Sequence, residues 1–218
     1  MTALADPPAA DLPPLFADWF ASRGWAPRGH QLGMLAAAKA GINALLMAPT
    51  GGGKTLGGFL PSLVDLAEIS AREGPRRPHR LHTLYLSPLK ALSVDVARNL
   101  MTPLEEMELD LRVETRTGDT SPSKRQRQRA HPPDILLTTP EQLALFCATP
   151  NAEAFFGDLQ RIIIDEAHAL APQKRGDLLA LGLAALARWA PQARRAGLSA
   201  TVADEQGLAR WLAPQSPD

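Results

Sequence analysis

The sequence has one cysteine, no long apolar run and no excess of either charge. Because Cys147 is the only cysteine among 218 residues, no disulfide can form within the chain, and we expect a reducing, cytoplasmic environment. The five histidines have no second thiol at a zinc-binding spacing, so no zinc site is predicted. No apolar stretch approaches the ~20 residues that span a bilayer, and we therefore expect no membrane partner.

The balance of charge limits how this chain could bind nucleic acid. The 23 Lys and Arg residues are matched by 23 Asp and Glu residues, so no overall positive field attracts a polyanion. Such binding would need a local patch or specific contacts. The length suits a single domain, which we place at residues 15–213. We expect the Ala/Pro-rich residues 1–14 to be a disordered leader, and residues 214–218 form a tail without a structural signal.

A glycine-rich stretch, Ala48-Pro-Thr-Gly-Gly-Gly-Lys-Thr55, lies between an apolar run and a helical pattern. Its glycines let backbone N–H groups close around phosphate oxygens, and the helix that follows adds positive partial charge. The general phosphate-loop pattern begins with glycine, whereas this stretch begins with Ala48. The alternative is a glycine-rich turn that happens to carry Lys-Thr. The residues predicted to bind phosphate are Thr50, Gly51, Gly52, Gly53, Lys54 and Thr55, with Lys54 reaching the outer phosphates and Thr55 a magnesium ion.

Strand-like and helix-like segments alternate along the chain, which predicts an α/β fold with a mostly parallel sheet and helices on both faces. Thr139 with Gln142, and Thr201 with Asp204, have capping-box spacing, and Ser121 is a predicted N-cap. The predicted strands are 42–47, 81–86, 111–115, 134–137, 161–164 and 194–198. The predicted helices are 15–25, 32–40, 56–69, 89–101, 123–130, 141–147 and 176–189, with a last helix that is capped at Thr201 and reaches residue 212.

Two acids follow the isoleucine-rich segment 161–164. Three consecutive isoleucines indicate a strand buried on both faces, and such a strand delivers its last residues to the crevice where open α/β sheets bind ligands. Asp165 could then hold magnesium through its water shell, and Glu166 could deprotonate the water that attacks the γ-phosphate. The alternative is a strand that runs into a solvated acidic turn.

Taken together, seven motifs resemble the first motor domain of superfamily 2 DExH/D-box helicases, over residues 15–212. Less specific stretches of the sequence resemble the large helicase-related branch of that superfamily, and within it the bacterial ligase-associated DEXH-box helicases. Many members of this branch have Leu at the position of Ala167, a change with little chemical consequence. The motifs are Trp25-Ala-Pro-Arg-Gly-His-Gln31, Ala48-Pro-Thr-Gly-Gly-Gly-Lys-Thr55, Ser87-Pro-Leu-Lys-Ala-Leu92, Arg116-Thr-Gly-Asp119, Thr139-Pro-Glu141, Asp165-Glu-Ala-His168 and Ser199-Ala-Thr201.

The resemblance implies a RecA-like P-loop domain that holds ATP and Mg²⁺, with Glu166 as catalytic base beside Lys54 and Asp165. Gln31 and Arg28 are implied to contact adenine, a role that the Gln amide can fill because it both donates and accepts. The resemblance also implies that His168, Ser199 and Thr201 couple the nucleotide site to the bound nucleic-acid strand. The implied contacts to a nucleic-acid backbone, that of single-stranded DNA, are Ser87, Pro88, Leu89, Lys90, Thr117, Gly118, Thr139 and Pro140; considered singly, each of these could be ordinary helix capping.

Three functions are compatible with these residues. The first is the motor domain of an ATP-dependent DNA helicase or translocase in DNA repair, for which the resemblance suggests a DNA ligase or nuclease as partner. The second is a nucleotide- and nucleic-acid-binding module with little turnover, because family helicases use arginine fingers from a second motor domain and this chain stops after the Ser-Ala-Thr motif. The third is a small-molecule phosphotransferase. The basic run 124–129 is either a phosphate patch or a solvated helix face.

Overall fold

The computed structural model describes residues 12–49, 51–74 and 77–214, with backbone only at 90–94. These residues form six strands and ten helices in an α/β arrangement. No helix in these ranges is both long and apolar enough to cross a membrane. The strands are β1 (Ala44–Met47), β2 (Thr83–Leu86), β3 (Val113–Arg116), β4 (Ile135–Thr138), β5 (Arg161–Ile164) and β6 (Arg194–Ser199). The helices are α1 (Pro14–Ser22), α2 (Gly29–Lys39), α3 (Lys54–Glu73), α4 (Lys90–Glu106), α5 (Pro122–Ala130), α6 (Pro140–Cys147), α7 (Ala152–Phe156), α8 (Ala167–Leu170), α9 (Lys174–Trp189) and α10 (Glu205–Leu212).

The six strands form one sheet in the order β1-β6-β5-β2-β4-β3, and every neighbouring pair is parallel. Parallel neighbours need crossover connections, which the helices supply. Successive side chains of a strand point to opposite faces, so Ile163 packs into one apolar cluster while Ile162 and Ile164 pack into the other. Both faces of the sheet are therefore covered, and the predicted fold class is confirmed.

The parallel sheet brings six of the seven predicted motifs to one edge. Because every strand runs in the same direction, the segments that follow the strands all leave from the carboxyl edge of the sheet. The segment after β1 is the glycine-rich loop, and β5 is followed by Asp165 and Glu166. Four further motifs follow β2, β3, β4 and β6, whereas the motif at residues 25–31 precedes β1. The fold thus assembles, at one edge, residues that are far apart in the chain.

The first helix begins one residue earlier than predicted, and two short helices were missed. Residues 1–11 of the predicted leader and 215–218 of the predicted tail lie outside the described residues, but Leu12 already packs against the core and α1 starts at Pro14. The loop predicted near Pro150 contains α7, because Phe155 and Phe156 pack against Phe146 with ring centroids 4.4 and 5.0 Å away. The other missed helix is the four-residue α8.

Of the predicted helix caps, only one is formed as expected. Ser121 accepts a hydrogen bond from the Lys124 backbone N–H at 3.3 Å. The prediction that Thr201 caps the last helix was wrong, because Asp204 is itself the N-cap and accepts from the Gly207 N–H at 2.7 Å. Thr139 occupies the predicted N-cap position of α6, but its side chain makes no capping bond. The sequence therefore predicted where helices begin better than it predicted which side chains cap them.

Candidate active site

The loop between β1 and α3 has a backbone that only glycine adopts easily. Gly51 and Gly53 both have φ of +77°, in the left-handed region. A Cβ on Gly52 would lie 2.8 Å from the Pro49 carbonyl oxygen, and one on Gly53 would lie 3.0 Å from Nε2 of Gln31. The three consecutive glycines are thus required by the shape of the loop, which favours a phosphate cradle over an incidental turn.

Lys54 is held across this loop. Its Nζ donates to the carbonyl oxygens of Ala48 at 2.7 Å and Pro49 at 3.1 Å. Lys54 and Thr55 are the first two residues of the 20-residue helix α3, whose N-terminus carries positive partial charge. Thr50, another predicted phosphate-binding residue, lies outside the described residues. The loop, the ammonium group and the helix end together form a site suited to an anion.

Gln31 connects the start of α2 to the glycine-rich loop. Its Oε1 accepts from the Arg28 backbone N–H at 2.9 Å, and its Nε2 lies 3.4 Å from the Gly53 carbonyl oxygen. The side chain is only 3% exposed. The Arg28 side chain is exposed and lies beside the same loop. The structure thus gives Gln31 a structural role next to the phosphate loop, and the adenine contacts of Gln31 and Arg28 stay predictions.

Both oxygens of the Asp165 carboxylate accept hydrogen bonds. Oδ1 accepts from the Glu166 backbone N–H at 2.9 Å, and Oδ2 accepts from the hydroxyl of Tyr85 on the neighbouring strand β2. Tyr85 was not among the predicted site residues. Its signal was available, because a tyrosine inside the apolar segment of a buried strand needs a partner for its hydroxyl. The identity of that partner depends on the order of the strands.

Glu166 adopts a backbone conformation that is rare for residues other than glycine. Its φ of 48° and ψ of 42° lie in the left-handed region. Strain of this kind typically costs about 1–3 kcal/mol and is concentrated at functional sites. The Glu166 carboxylate is half-buried, and its Oε2 lies 3.4 Å from Nε2 of His168. The fold therefore holds this acid in a defined place at the carboxyl edge.

His168 links Glu166 to the segment after β6. Its Nδ1 accepts from the Ala200 backbone N–H at 3.3 Å and lies 3.1 Å from Oγ of Ser199, which in turn donates to the Ala200 carbonyl oxygen at 2.7 Å. With Nδ1 as acceptor, the neutral imidazole carries its proton on Nε2, which faces Glu166. Two of the three predicted coupling residues are thus in contact. Thr201 is exposed and lies outside this series of contacts.

The hydroxyl-bearing residues predicted to contact nucleic acid are buried. Ser87, Thr117 and Thr139 lie in the interior, as does Pro140. The Ser87 Oγ lies 3.3 Å from both the N and the O of Leu89, and Oγ1 of Thr117 accepts from the Asp119 backbone N–H at 3.4 Å. The hydroxyls of Ser87 and Thr117 therefore bond within their own loops.

Other parts of the same loops form the surface at this edge. Leu89 is 56% exposed, Gly118 is exposed and Pro88 is half-buried. The side chain of Lys90 lies outside the described residues. A nucleic-acid strand bound here would contact Leu89 and the exposed loop backbone, because the predicted hydroxyl groups lie beneath them. The contacts to nucleic acid stay predictions.

The basic helix α5 holds the turn after β3. Nη2 of Arg125 donates to the carbonyl oxygens of Thr117 at 3.2 Å and Gly118 at 2.9 Å. Nη2 of Arg127 donates to Glu114 at 2.8 Å. Within the run 124–129, Arg125 therefore holds the turn, whereas Arg127 and Arg129 are exposed. The two alternatives for this run, a phosphate patch and a solvated helix face, both stay predictions.

A buried arginine lies under the same turn. The guanidinium of Arg116 packs over the ring of Phe146, with Cζ 4.0 Å from the ring centroid. Burial, and then the charges of Arg129 and Arg125, lower the pKa of Arg116 to about 10. This end of the sheet is therefore electropositive in a chain with no net charge.

The oxygen donors of the site suit a magnesium ion that arrives with a nucleotide. Thr55 offers a hydroxyl and Asp165 a carboxylate, both hard ligands of the kind Mg²⁺ prefers. Within the described residues, no group of three His, Cys, Asp or Glu side chains could hold a metal ion alone. Phosphate and water oxygens would have to complete the shell, as is usual for Mg²⁺ in nucleotide-binding enzymes.

Comparison with known proteins is consistent with this geometry. The profile of the DEAD/DEAH box helicase family matches residues 28–208. The chain is 40% identical over 228 residues to the Lhr helicase/probable uracil glycosylase of Mycolicibacterium smegmatis, covering 100% of this chain and 15% of that protein. It is 41% identical over 228 residues to the Lhr helicase/uracil glycosylase of Escherichia coli, covering 96% of this chain and 15% of that protein.

A solved structure shares the fold. The helicase Lhr of Mycobacterium smegmatis, bound to ssDNA and AMP-PNP, superposes with a TM-score of 0.84 and 39% identity over 94% of this chain and 27% of that chain. The chain therefore spans a small part of the relatives it matches. The resemblance to the large helicase-related branch and the RecA-like fold are confirmed, and the narrower likeness to ligase-associated members stays a prediction.

Proposed function

The chain belongs to the DEAD/DEAH box helicase family, and on that premise we propose that it is the ATP-binding motor domain of an ATP-dependent DNA helicase or translocase. The observation that carries this proposal is the meeting of two motifs at one edge of the sheet. The glycine-rich loop follows β1, Asp165 and Glu166 follow β5, and only β6 lies between these strands. Phosphate-binding groups and a candidate base are thereby brought to the same crevice.

The phosphate loop supplies binding and positioning. Its N–H groups and the N-terminus of α3 would surround the phosphates, and Lys54 would exchange the carbonyl oxygens of Ala48 and Pro49 for phosphate oxygens. Thr55 and Asp165 would hold Mg²⁺ with the nucleotide. When bound, this ion neutralises charge on the β- and γ-phosphates. The protein therefore contributes mainly orientation and electrostatic stabilisation.

Glu166 is the proposed general base. Its carboxylate would orient the attacking water and accept its proton. The contact with Nε2 of His168 at 3.4 Å holds that carboxylate, and His168 in turn contacts Ser199 at the end of β6. A movement of the segment after β6 would thus displace the Glu166 carboxylate through the imidazole of His168. This is the route by which we propose that His168 and Ser199 couple the nucleotide site to a bound nucleic-acid strand, and the coupling role of Thr201 stays a prediction.

Single-stranded DNA is the proposed activator of ATP hydrolysis. The M. smegmatis relative was captured with ssDNA and AMP-PNP, and the two chains are 39% identical over the compared region. On this chain the strand would cross the loops after β2, β3 and β4, where Leu89 and Gly118 are exposed. Backbone recognition of this kind reads no base sequence. A role in DNA repair, a ligase or nuclease partner and a cytoplasmic location stay predictions.

The test is ATP hydrolysis by the 218-residue chain with and without single-stranded DNA. Glu166→Gln serves as the blank, because it keeps the shape of the side chain and removes the base. Single-stranded RNA of the same sequence separates DNA from RNA specificity. We expect hydrolysis that DNA accelerates and that Glu166→Gln abolishes.

Other outcomes would select the alternative functions. Binding of Mg-ATP without hydrolysis, even with DNA, would favour a nucleotide- and nucleic-acid-binding module. Phosphate transfer to a metabolite, with no response to DNA, would favour a small-molecule phosphotransferase. Absence of Mg-ATP binding would overturn the proposal altogether.

A further inference from the structure

Tyr85 is a buried residue whose hydroxyl reaches the nucleotide site. It lies on β2, which pairs with β5 so that Tyr85 is level with Ile163, two residues before Asp165. The ring is fully buried and stacks on Phe59 of α3, with centroids 5.2 Å apart and an interplanar angle of 26°. This packing leaves the hydroxyl at the end of the ring to donate to Oδ2 of Asp165. The pairing of β2 with β5 therefore places this donor beside Asp165.

A tyrosine hydroxyl is protonated at neutral pH and can therefore donate a hydrogen bond. Asp165 itself is largely buried and has its other oxygen bonded to the Glu166 N–H. With a donor on each oxygen, the carboxylate plane cannot rotate without breaking a hydrogen bond.

We propose that Tyr85 is a positioning residue that orients the Asp165 carboxylate for the magnesium ion of the bound nucleotide. This inference rests on the proposed function, because it assumes that Asp165 faces that ion. Partners that hydrogen-bond to metal ligands typically account for 10–100-fold in metal affinity.

The test is to measure how Mg²⁺ controls nucleotide binding by Tyr85→Phe. The substitution keeps the ring that stacks on Phe59 and removes only the hydroxyl. Fluorescent AMP-PNP is titrated into the full chain over a range of Mg²⁺ concentrations, and again in excess EDTA. We expect the Mg²⁺ concentration for half-maximal tightening to rise about 10-fold or more. Affinity in EDTA should be unchanged, which also reports that the variant is folded.

Phe59→Leu is the matched control, since it disturbs the ring stack and leaves the hydroxyl in place. It should keep the Mg²⁺ dependence of the wild-type chain. An unchanged Mg²⁺ dependence in Tyr85→Phe would overturn the inference, and so would an equal shift in both variants, which would indicate a packing effect. If the wild-type chain itself shows no Mg²⁺-dependent nucleotide binding, the proposed function fails and the inference fails with it.

Discussion

The two halves of the carboxyl edge differ in how some of their motif residues are presented. In the half formed by β1, β6 and β5, Lys54 and Glu166 are only partly buried, and the backbone is placed in left-handed conformations at Gly51, Gly53 and Glu166. In the half formed by β2, β4 and β3, Ser87 and Thr117 are buried, and their hydroxyls bond within their own loops. Chemistry on a phosphate needs side chains that are presented to the ligand. Recognition of the repeating sugar-phosphate backbone of a nucleic acid needs protein loops of a fixed shape.

Glu166→Gln is the test with the largest expected effect for the half of the edge formed by β1, β6 and β5, which we call the first half. Because the amide cannot accept the proton of the attacking water, we expect ATP turnover to fall by about 10²–10⁴-fold, while the affinity for Mg-ATP changes little. Steady-state hydrolysis and equilibrium nucleotide binding measure the two effects separately. A parallel loss of binding would mean that Glu166 holds the nucleotide or the loop, and not the water.

Lys54→Ala should weaken nucleotide binding, because the ammonium group makes charge-assisted bonds to the outer phosphates. We expect a loss of about 100-fold or more in affinity for Mg-ATP, measured by calorimetry. Lys39→Ala is the control, since Lys39 is an exposed lysine at the C-terminal end of α2. Unchanged affinity in the Lys54 variant would contradict the interpretation of the glycine-rich loop.

Gly53→Ala tests whether the first half depends on backbone conformation. The added Cβ forces a left-handed φ of +77° on alanine and lies 3.0 Å from Nε2 of Gln31. We expect a cost of about 1–3 kcal/mol, visible as a lower melting temperature and as weaker nucleotide binding. Gly29→Ala is the comparison, because its Cβ would meet nothing within 4 Å. Equal effects at both positions would show that the loop tolerates a side chain.

Arg125→Gln tests the second half, and we expect the smallest effect there. Loss of its two bonds to the Thr117 and Gly118 carbonyls should loosen the turn and weaken single-stranded DNA binding by about threefold to tenfold. Nucleotide affinity without DNA should not change. Arg127→Gln removes the same charge from the same helix but leaves the turn intact. If both variants lose the same amount of DNA affinity, only charge matters and the shaped-loop interpretation is wrong.

Local features of the chain predicted most of the fold. The alternation of strand-like and helix-like segments placed all six strands to within a few residues. For β2, β4 and β5 the signal was strong, because burial on both faces leaves a largely apolar run. The glycine-rich loop and the acids after β5 were predicted because their spacing is short and their chemistry is specific. The missed α7 has only five residues and begins two residues after Pro150. Its two phenylalanines pack against rings outside the helix, those of Phe146 and Trp189.

What the sequence determined by itself is the chemistry that each strand carries at its end. It did not determine which ends become neighbours, because the order β1-β6-β5-β2-β4-β3 is not the order of the chain. Only the tertiary structure places Tyr85 against Asp165, a pair separated by 80 residues, and only it assigns Arg125 to the turn after β3. Such contacts depend on strand register and on burial from several elements at once. The spacing of residues along the chain shows neither the strand register nor the burial.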